Sequence, residues 1–202
     1  KIKHIVSELG EMMGGVPYDR YVFLITGQNR RGGGLEHLNS TNISLKRYDS
    51  PSSSDYRRLV YVIAHEVFHA WNVKRIRPAI LGPFDYTKPQ HTRNLYISEG
   101  ITSYYGMPTV ARQGIWSREL FYDELSKEIT SYQTSPGRFF TSAEAASWNA
   151  WLKSGNRAHT FVDFYTIGNI LGMLLDLEIR GRTDNRKNLD DVFRRLMTEY
   201  GL

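Results

Sequence analysis

The stretch LVYVIAHEVFHAW, residues 59–71, decides how this chain is interpreted. It is largely apolar and contains neither Pro nor Gly, a pattern that predicts a helix. Positions four residues apart lie on one face of a helix, so His65 and His69 point in the same direction. Two imidazoles at this spacing can bind one metal ion, and Glu66 follows directly as a proton acceptor beside it. The alternative is an amphipathic helix that carries two histidines for structural reasons.

The rest of the sequence predicts strands before this helix and mainly helices after it. Residues 2–13 have helical periodicity, the run 21–26 is β-rich, and a second strand is predicted over 35–45. Further helices are predicted over residues 96–110, 117–132, 142–151, 160–179 and 188–200. We therefore expect one α+β domain, residues 1–202, with a small N-terminal β-sheet lobe, residues 1–54, and a mainly helical lobe, residues 55–202.

Two features flank the proposed metal-binding helix. Asp55 has the side chain of a helix N-cap and is predicted to begin the helix. The basic residues 74–77 are interpreted as a solvated helix end, where cations suit the helix dipole.

Composition limits the classes of function. The formal charge is +5, but the basic residues are spread along the chain, so nucleic-acid binding is not expected. There are no cysteines, so a metal site would have to use His and carboxylate ligands. The apolar runs are too short to cross a membrane, and no signal peptide is visible. The chain opens on Lys1, which suggests a piece of a longer, soluble protein; cytoplasm and periplasm both stay open as its compartment.

A catalytic zinc ion usually takes three protein ligands, so a third one is needed besides the two histidines. Glu99 is the preferred candidate, since it lies in a predicted helix beside Gly100, which permits close packing. Taken alone, Glu99 also fits an ordinary solvent-facing carboxylate. His91 and His37 are the rival third ligands.

Four motifs occur in the order of a known enzyme family. They are GGLEH at residues 33–37, HEVFHAWNVKRIRP at 65–78, SEGITSYY at 98–105 and YTIG at 165–168. In this combination the chain resembles the catalytic domain of the glycyl aminopeptidase family, whose members are gluzincin zinc metallopeptidases. The resemblance implies a thermolysin-like catalytic domain. It also implies that an N-terminal β domain and a C-terminal PDZ domain, usual in the family, are missing from this chain.

The resemblance also implies roles for individual residues. It makes His65, His69 and Glu99 the ligands of one Zn²⁺ per chain, and Glu66 the general base. Tyr165 takes the place of the tyrosine that stabilises the oxyanion, although Ile167 stands where relatives usually carry Lys. From the residues alone, Tyr165 also fits a packed aromatic beside Phe161 and Phe164.

Recognition of a substrate's amino terminus calls for a fixed carboxylate, and Glu36 is the candidate. Gly33 and Gly34 would let a substrate backbone approach the strand, and His37 would support Glu36 or touch the substrate. A plain Gly-rich hairpin loop is the alternative for this segment.

These observations lead to one main hypothesis and two alternatives. The main hypothesis is a zinc aminopeptidase that removes small N-terminal residues, Gly or Ala, from peptides. The first alternative is an endopeptidase of the same chemistry. The second is a zinc-binding module without turnover.

Overall fold

A computed structural model describes residues 1–30, 32–47, 53–85, 87–152 and 157–202. The chain is mainly helical with one small sheet, which confirms the α+β class. It divides into two compact units. The first comprises Lys1–Ile76, Tyr105–Phe121 and Asp190–Leu202; the second comprises Arg77–Tyr104 and Tyr122–Leu189. The lobe boundary after residue 54 remains a prediction.

The elements follow one another in the order expected of a sheet segment succeeded by helices. The strands are β1 (Val22–Gln28), β2 (Gly34–Glu36) and β3 (Ser40–Lys46). The helices are α1 (Ile2–Met13), α2 (Ser54–Phe68), α3 (Thr102–Arg112), α4 (Arg118–Thr134), α5 (Ala143–Trp148), α6 (Arg157–Thr160), α7 (Phe164–Arg182) and α8 (Leu189–Tyr200). A π-helical turn, Tyr96–Ile101, leads into α3. In the described parts of the chain, no helix combines the length with the apolar character that crossing a lipid bilayer demands.

The sheet of the first unit has the strand order β1-β3-β2. Strand β1 pairs with β3 in parallel, and β2 pairs with β3 antiparallel. The prediction of a single strand over 35–45 was wrong, because the chain reverses between β2 and β3. The His37 N–H donates to the Ser40 carbonyl at 2.8 Å and closes this turn. The turn contains Asn39 and Ser40 but neither Gly nor Pro, so the strongest sequence signals of a reversal were lacking.

Helix α2 begins two residues earlier than predicted, and its N-cap is Ser53 rather than Asp55. The Ser53 hydroxyl accepts a hydrogen bond from the Tyr56 N–H at 3.1 Å. Asp55 lies in the first turn, where a negative charge suits the helix dipole, and it pairs with Lys46 at 3.3 Å. The helix ends at Phe68, with His69 as its C-cap residue.

An aromatic cluster anchors the end of α2 in the core of the first unit. The ring of Phe68 stacks on Tyr105, with centroids 4.3 Å apart, and meets Phe193 edge-on at 5.5 Å. All three side chains are fully buried. Rings of this size contribute most of the apolar area that holds such a core together. The last turn of α2 is therefore fixed by packing.

Residues 74–77 are not a solvated helix end, because Arg75 is buried. Its guanidinium donates to three backbone carbonyls: Pro17 at 2.5 Å, Leu38 at 3.1 Å and Ala70 at 2.7 Å. Burial is the main cause that lowers the pKa of Arg75 from its ordinary value. The side chain joins the segment before β1, the turn after β2 and the end of the α2 region.

The second unit is held together by close contact between the π-helical turn and α7. A Cβ added to Gly100 would lie 2.3 Å from the Cα of Gly168, so neither position has room for a side chain. Nearby, Ala146, Val162 and Ile167 form a small buried cluster. The glycines thus set the approach of these two helical segments.

Asp176 in α7 is the centre of a buried polar network in the second unit. Its carboxylate accepts hydrogen bonds from the Tyr104 hydroxyl at 2.7 Å, the Arg180 guanidinium at 2.8 Å and the Leu189 N–H at 2.8 Å. Burial by itself raises the pKa of Asp176. The three donors together lower the pKa by a larger amount, so it lies below the ordinary value. The network ties α7 to the Tyr104 side chain and to the backbone of Leu189.

Replacement of the buried guanidinium should destabilise the fold. In Arg75→Lys, one ammonium cannot satisfy three separate carbonyls, and we expect the free energy of unfolding to fall by about 3 kcal/mol. Urea denaturation measures the change. The control is Arg118→Lys, at an exposed position in the same unit, which should leave the unfolding midpoint in place. Equal midpoints for both variants would contradict the structural role of Arg75.

The network around Asp176 makes stability depend on pH. The pKa of Asp176 is lower in the folded state than in the unfolded state. The carboxylate therefore contributes its full stabilisation at pH values above the unfolded-state pKa. This contribution is lost as the pH falls through the folded-state pKa. We expect Asp176→Asn to cost about 2 kcal/mol at pH 7 and much less near pH 3. Denaturation curves at the two pH values test this, with the exposed Asp184→Asn as control. A pH-independent difference would argue against it.

Candidate metal centre

The last turn of α2 brings the two motif histidines together. Their Nε2 atoms lie 3.0 Å apart, and the rings meet edge-on with centroids 4.7 Å apart. Both side chains are buried, His69 almost completely. This geometry follows from the four-residue spacing of His65 and His69 on one helix face. The two ring nitrogens converge on a common point.

A backbone carbonyl sets the orientation of one of these rings. Nδ1 of His69 donates to the carbonyl of Asn72 at 2.7 Å, so the ring proton is on Nδ1 and the lone pair is on Nε2. Metal-binding histidines are oriented in this way, with the second nitrogen donating to a carbonyl or carboxylate. The arrangement therefore fits a site in which two neutral imidazoles hold a cation.

Glu66 is buried between the helix and strand β2. A Cβ added to Gly34 would lie 2.1 Å from the Glu66 Cδ, so the absence of a side chain at Gly34 makes room for this carboxylate. The Glu66 Oε2 atom is fully buried. Gly33 has open space around it, and its carbonyl accepts from the Ser44 N–H at 2.9 Å. The roles predicted for both glycines in substrate binding stay predictions.

Strand β2 ends with Glu36, which faces the same region of the first unit. Its carboxylate forms an ion pair with Lys74, 3.2 Å from Nζ to Oε1, and both side chains are largely buried. The neighbouring His37 is exposed, and its Nδ1 lies 3.1 Å from the Leu35 carbonyl. The structure thus pairs Glu36 with a cation that the sequence analysis had placed in solvent.

Tyr21 is a further residue of this region that sequence reasoning missed. Its hydroxyl donates to the Glu66 carbonyl at 3.3 Å. The pKa of Tyr21 is raised well above its ordinary value, first by burial and then by nearby groups that include Glu66 and Glu36. In sequence Tyr21 is merely the first residue of a β-rich run, and nothing there separates it from other tyrosines.

The second unit carries the other two predicted site residues. Glu99 lies in the π-helical turn and is partly buried. Tyr165 lies in the first turn of α7, after the N-cap Asp163, and is 44% exposed. Glu99 is next to Gly100 in sequence, and Tyr165 lies three residues before Gly168. The contact between the two glycines therefore fixes the backbone that carries both side chains.

Within the first unit, Glu36, Glu66 and His69 bring three ligand atoms within 4.8 Å of one another. Imidazole and carboxylate are the donors that zinc accepts where thiolates are absent. A His/Glu cluster that can hold a metal ion is therefore present.

Within the described residues, neither of the two rival third ligands belongs to this set. His91 is exposed, its Nδ1 lies 3.0 Å from the Trp148 carbonyl, and its ring packs against the Trp148 indole with centroids 5.1 Å apart. His37 is turned toward its own strand, as described above.

Comparison with known proteins places these features in a family. The model of the M61 glycyl aminopeptidase family matches residues 58–171, which include both motif histidines, Glu66, Glu99 and Tyr165 but not Glu36. No curated protein matches the chain.

The solved structures that resemble the chain include the following two. The first is an aminopeptidase N family protein from Idiomarina loihiensis, with a TM-score of 0.91, 25% identity and 98% of this chain covered. The chain spans 35% of the length of that protein. The second is yeast LTA4 hydrolase in complex with bestatin, with a TM-score of 0.64 and 16% identity. The match covers all of this chain and 29% of the hydrolase. At this identity the likeness shows the fold alone. Because the family model matches more than half of the residues of this chain, the chain belongs to the M61 glycyl aminopeptidase family.

Proposed function

We propose that this chain is the catalytic core of a zinc-dependent aminopeptidase that removes small N-terminal residues, Gly or Ala, from peptides. The observation that carries the proposal is the pair of buried imidazoles with Nε2 atoms 3.0 Å apart, next to a buried glutamate. The preference for small residues rests on the family's description as glycyl aminopeptidases. The likeness to yeast LTA4 hydrolase supports a thermolysin-like gluzincin domain as the finer fold assignment.

His65, His69 and Glu99 are the proposed ligands of one zinc ion. The donor set supports this, since the chain has no cysteine and the His69 ring is already oriented by the Asn72 carbonyl. A bound zinc ion would supply Lewis-acid polarisation and an activated water at such a site.

Glu66 is the proposed general base. Its carboxylate accepts the proton of the attacking water and passes it to the leaving amine. The close fit against Gly34 limits where this carboxylate can lie, and a limited range of positions favours proton transfer along one path. The hydroxyl of Tyr21, the residue before β1, donates a hydrogen bond to the Glu66 backbone carbonyl.

Tyr165 is the proposed donor to the developing oxyanion. A phenol is protonated at neutral pH, and the side chain is 44% exposed at the start of α7. Loss of one such donor typically costs about 3 kcal/mol of transition-state stabilisation. Ile167, which stands where relatives usually carry Lys, is buried against Ala146 and Val162 and therefore serves packing.

Glu36 is the proposed binding group for the substrate's amino terminus. An ammonium group bound to a buried carboxylate makes a charge-assisted hydrogen bond, which is stronger than a neutral one. A carboxylate has about four lone-pair sites, so the ion pair of Oε1 with Lys74 leaves acceptor capacity for an ammonium.

Removal of the base or of the metal should abolish turnover. In Glu66→Gln the metal should remain bound, while kcat/KM for Gly- and Ala-amide substrates falls by about 10²–10⁴-fold, because the proton acceptor is lost. Treatment with a chelator should have the same effect, reversed by one equivalent of zinc. The matched control is Glu11→Gln, at an exposed position of α1.

Two results would contradict the assignment as a zinc enzyme. Unchanged turnover in Glu66→Gln would exclude Glu66 as the base. Zinc at one ion per chain without any peptide hydrolysis would instead support the non-catalytic zinc-binding module.

Replacement of the amine-binding carboxylate should separate aminopeptidase from endopeptidase activity. In Glu36→Gln we expect KM for free-amine substrates to rise by about 10- to 100-fold, the range expected for loss of one charge-assisted hydrogen bond. Wild-type protein should cleave N-acetylated peptides poorly, and the variant should not change that rate. The assay compares Gly-amide and acetyl-Gly-amide substrates on wild type, Glu36→Gln and Glu11→Gln. Equal cleavage of blocked and unblocked peptides would indicate an endopeptidase.

A further inference from the structure

Besides His69, the set of potential ligands in the first unit contains two carboxylates, and this raises the question of what keeps them off a bound ion. Glu36 and Glu66 lie as close to the His69 ring as a metal site requires, with ligand atoms within 4.8 Å of one another. A divalent cation held by the histidines would attract the Glu36 carboxylate, and a carboxylate that binds it would take up the coordination position that catalysis leaves for water. Something must keep Glu36 from this position if the proposed function holds.

Lys74 lies where its ammonium can keep the Glu36 carboxylate away from the metal ion. Its Nζ lies 3.2 Å from the Glu36 Oε1, and the two side chains are 14% and 16% exposed. A pair so far out of water is screened less than a surface ion pair, so the ammonium competes effectively for the carboxylate.

The backbone fixes Lys74 relative to the metal-binding helix. The Lys74 N–H donates to the His69 carbonyl at 3.0 Å, two residues after the Asn72 carbonyl that orients the His69 ring. The next residue, Arg75, is held by three backbone carbonyls. The ammonium therefore approaches Glu36 from a segment that is held by hydrogen bonds on both sides of Lys74.

We infer that Lys74 is a positioning residue: it holds Glu36 off the metal ion and keeps that carboxylate for the substrate's amino terminus. The inference rests on the proposed function, because it concerns the same site. It extends that function by naming the residue that separates metal binding from substrate recognition. Without the ammonium, Glu36 would turn to the metal ion as an additional ligand.

The test uses cobalt as a spectroscopic substitute for zinc in the whole chain. In Lys74→Met the stem is kept and the charge is removed. We expect the visible Co²⁺ absorption to weaken, as it does when a fourth protein ligand raises the coordination number. We also expect metal affinity to increase by a factor on the order of ten. This is the lower end of the range by which groups next to the metal ligands change metal affinity.

Three further variants give the controls. The double variant Lys74→Met with Glu36→Gln should restore the wild-type spectrum, because the additional carboxylate is gone. Lys74→Arg keeps a cation and should retain the wild-type spectrum. Lys46→Met removes an ion-paired lysine of the same unit, the partner of Asp55, and should change neither spectrum nor affinity.

The inference and the proposed function fail in different ways. A wild-type chain that binds no cobalt or zinc would overturn both. A chain that binds metal and cleaves Gly-amide, with the same spectrum and affinity in Lys74→Met, would overturn the inference alone. If Lys74→Met does not fold, the cobalt spectrum of the single variant Glu36→Gln decides between the outcomes. An altered spectrum in this variant would show that Glu36 is already a metal ligand in the wild type, which would overturn the inference.

Discussion

The hydrogen bond from the His69 ring to the Asn72 carbonyl is the contact on which the candidate centre depends. It fixes the tautomer and orientation of one imidazole at the point where α2 ends, and helix geometry then brings the second imidazole to 3.0 Å. The end of the helix is itself fixed by Phe68 in the aromatic core and by the buried guanidinium of Arg75. The positions of the ring nitrogens are thus set by packing before any ligand binds.

Glycines perform two different tasks around this centre. Gly34 makes room for the Glu66 carboxylate, so a strand and a helix approach more closely than side chains would allow. Gly100 and Gly168 bring two helical segments of the second unit into backbone contact, next to Glu99 and Tyr165. In both places the residue that is proposed to do chemistry lies beside a position where any side chain would clash. Close backbone approach is the common way in which this chain holds its functional groups in place.

The sequence predicted the features that depend on local periodicity and missed those that depend on contacts across the fold. The helical spacing of the two histidines was enough to place them on one face, and the α+β class followed from the order of periodic segments. The reversal between β2 and β3 was missed because no Gly or Pro marks it. The basic run after α2 looked solvated because burial of Arg75 depends on carbonyls from Pro17 and Leu38, far away in sequence.

The same limit explains why Lys74 was not foreseen. Its partner, Glu36, lies on a strand before the segment that the family model matches, whereas Lys74 lies within that segment. The residues of the proposed chemistry thus belong to the matched stretch, and the residue proposed to recognise the substrate comes from the strand that precedes it. An ion pair joins the two, so the chemistry and the recognition cannot vary independently. A change at β2 that moved Glu36 would weaken the pairing of the partly buried Lys74 ammonium, and poorer pairing of a charge held away from water is unfavourable.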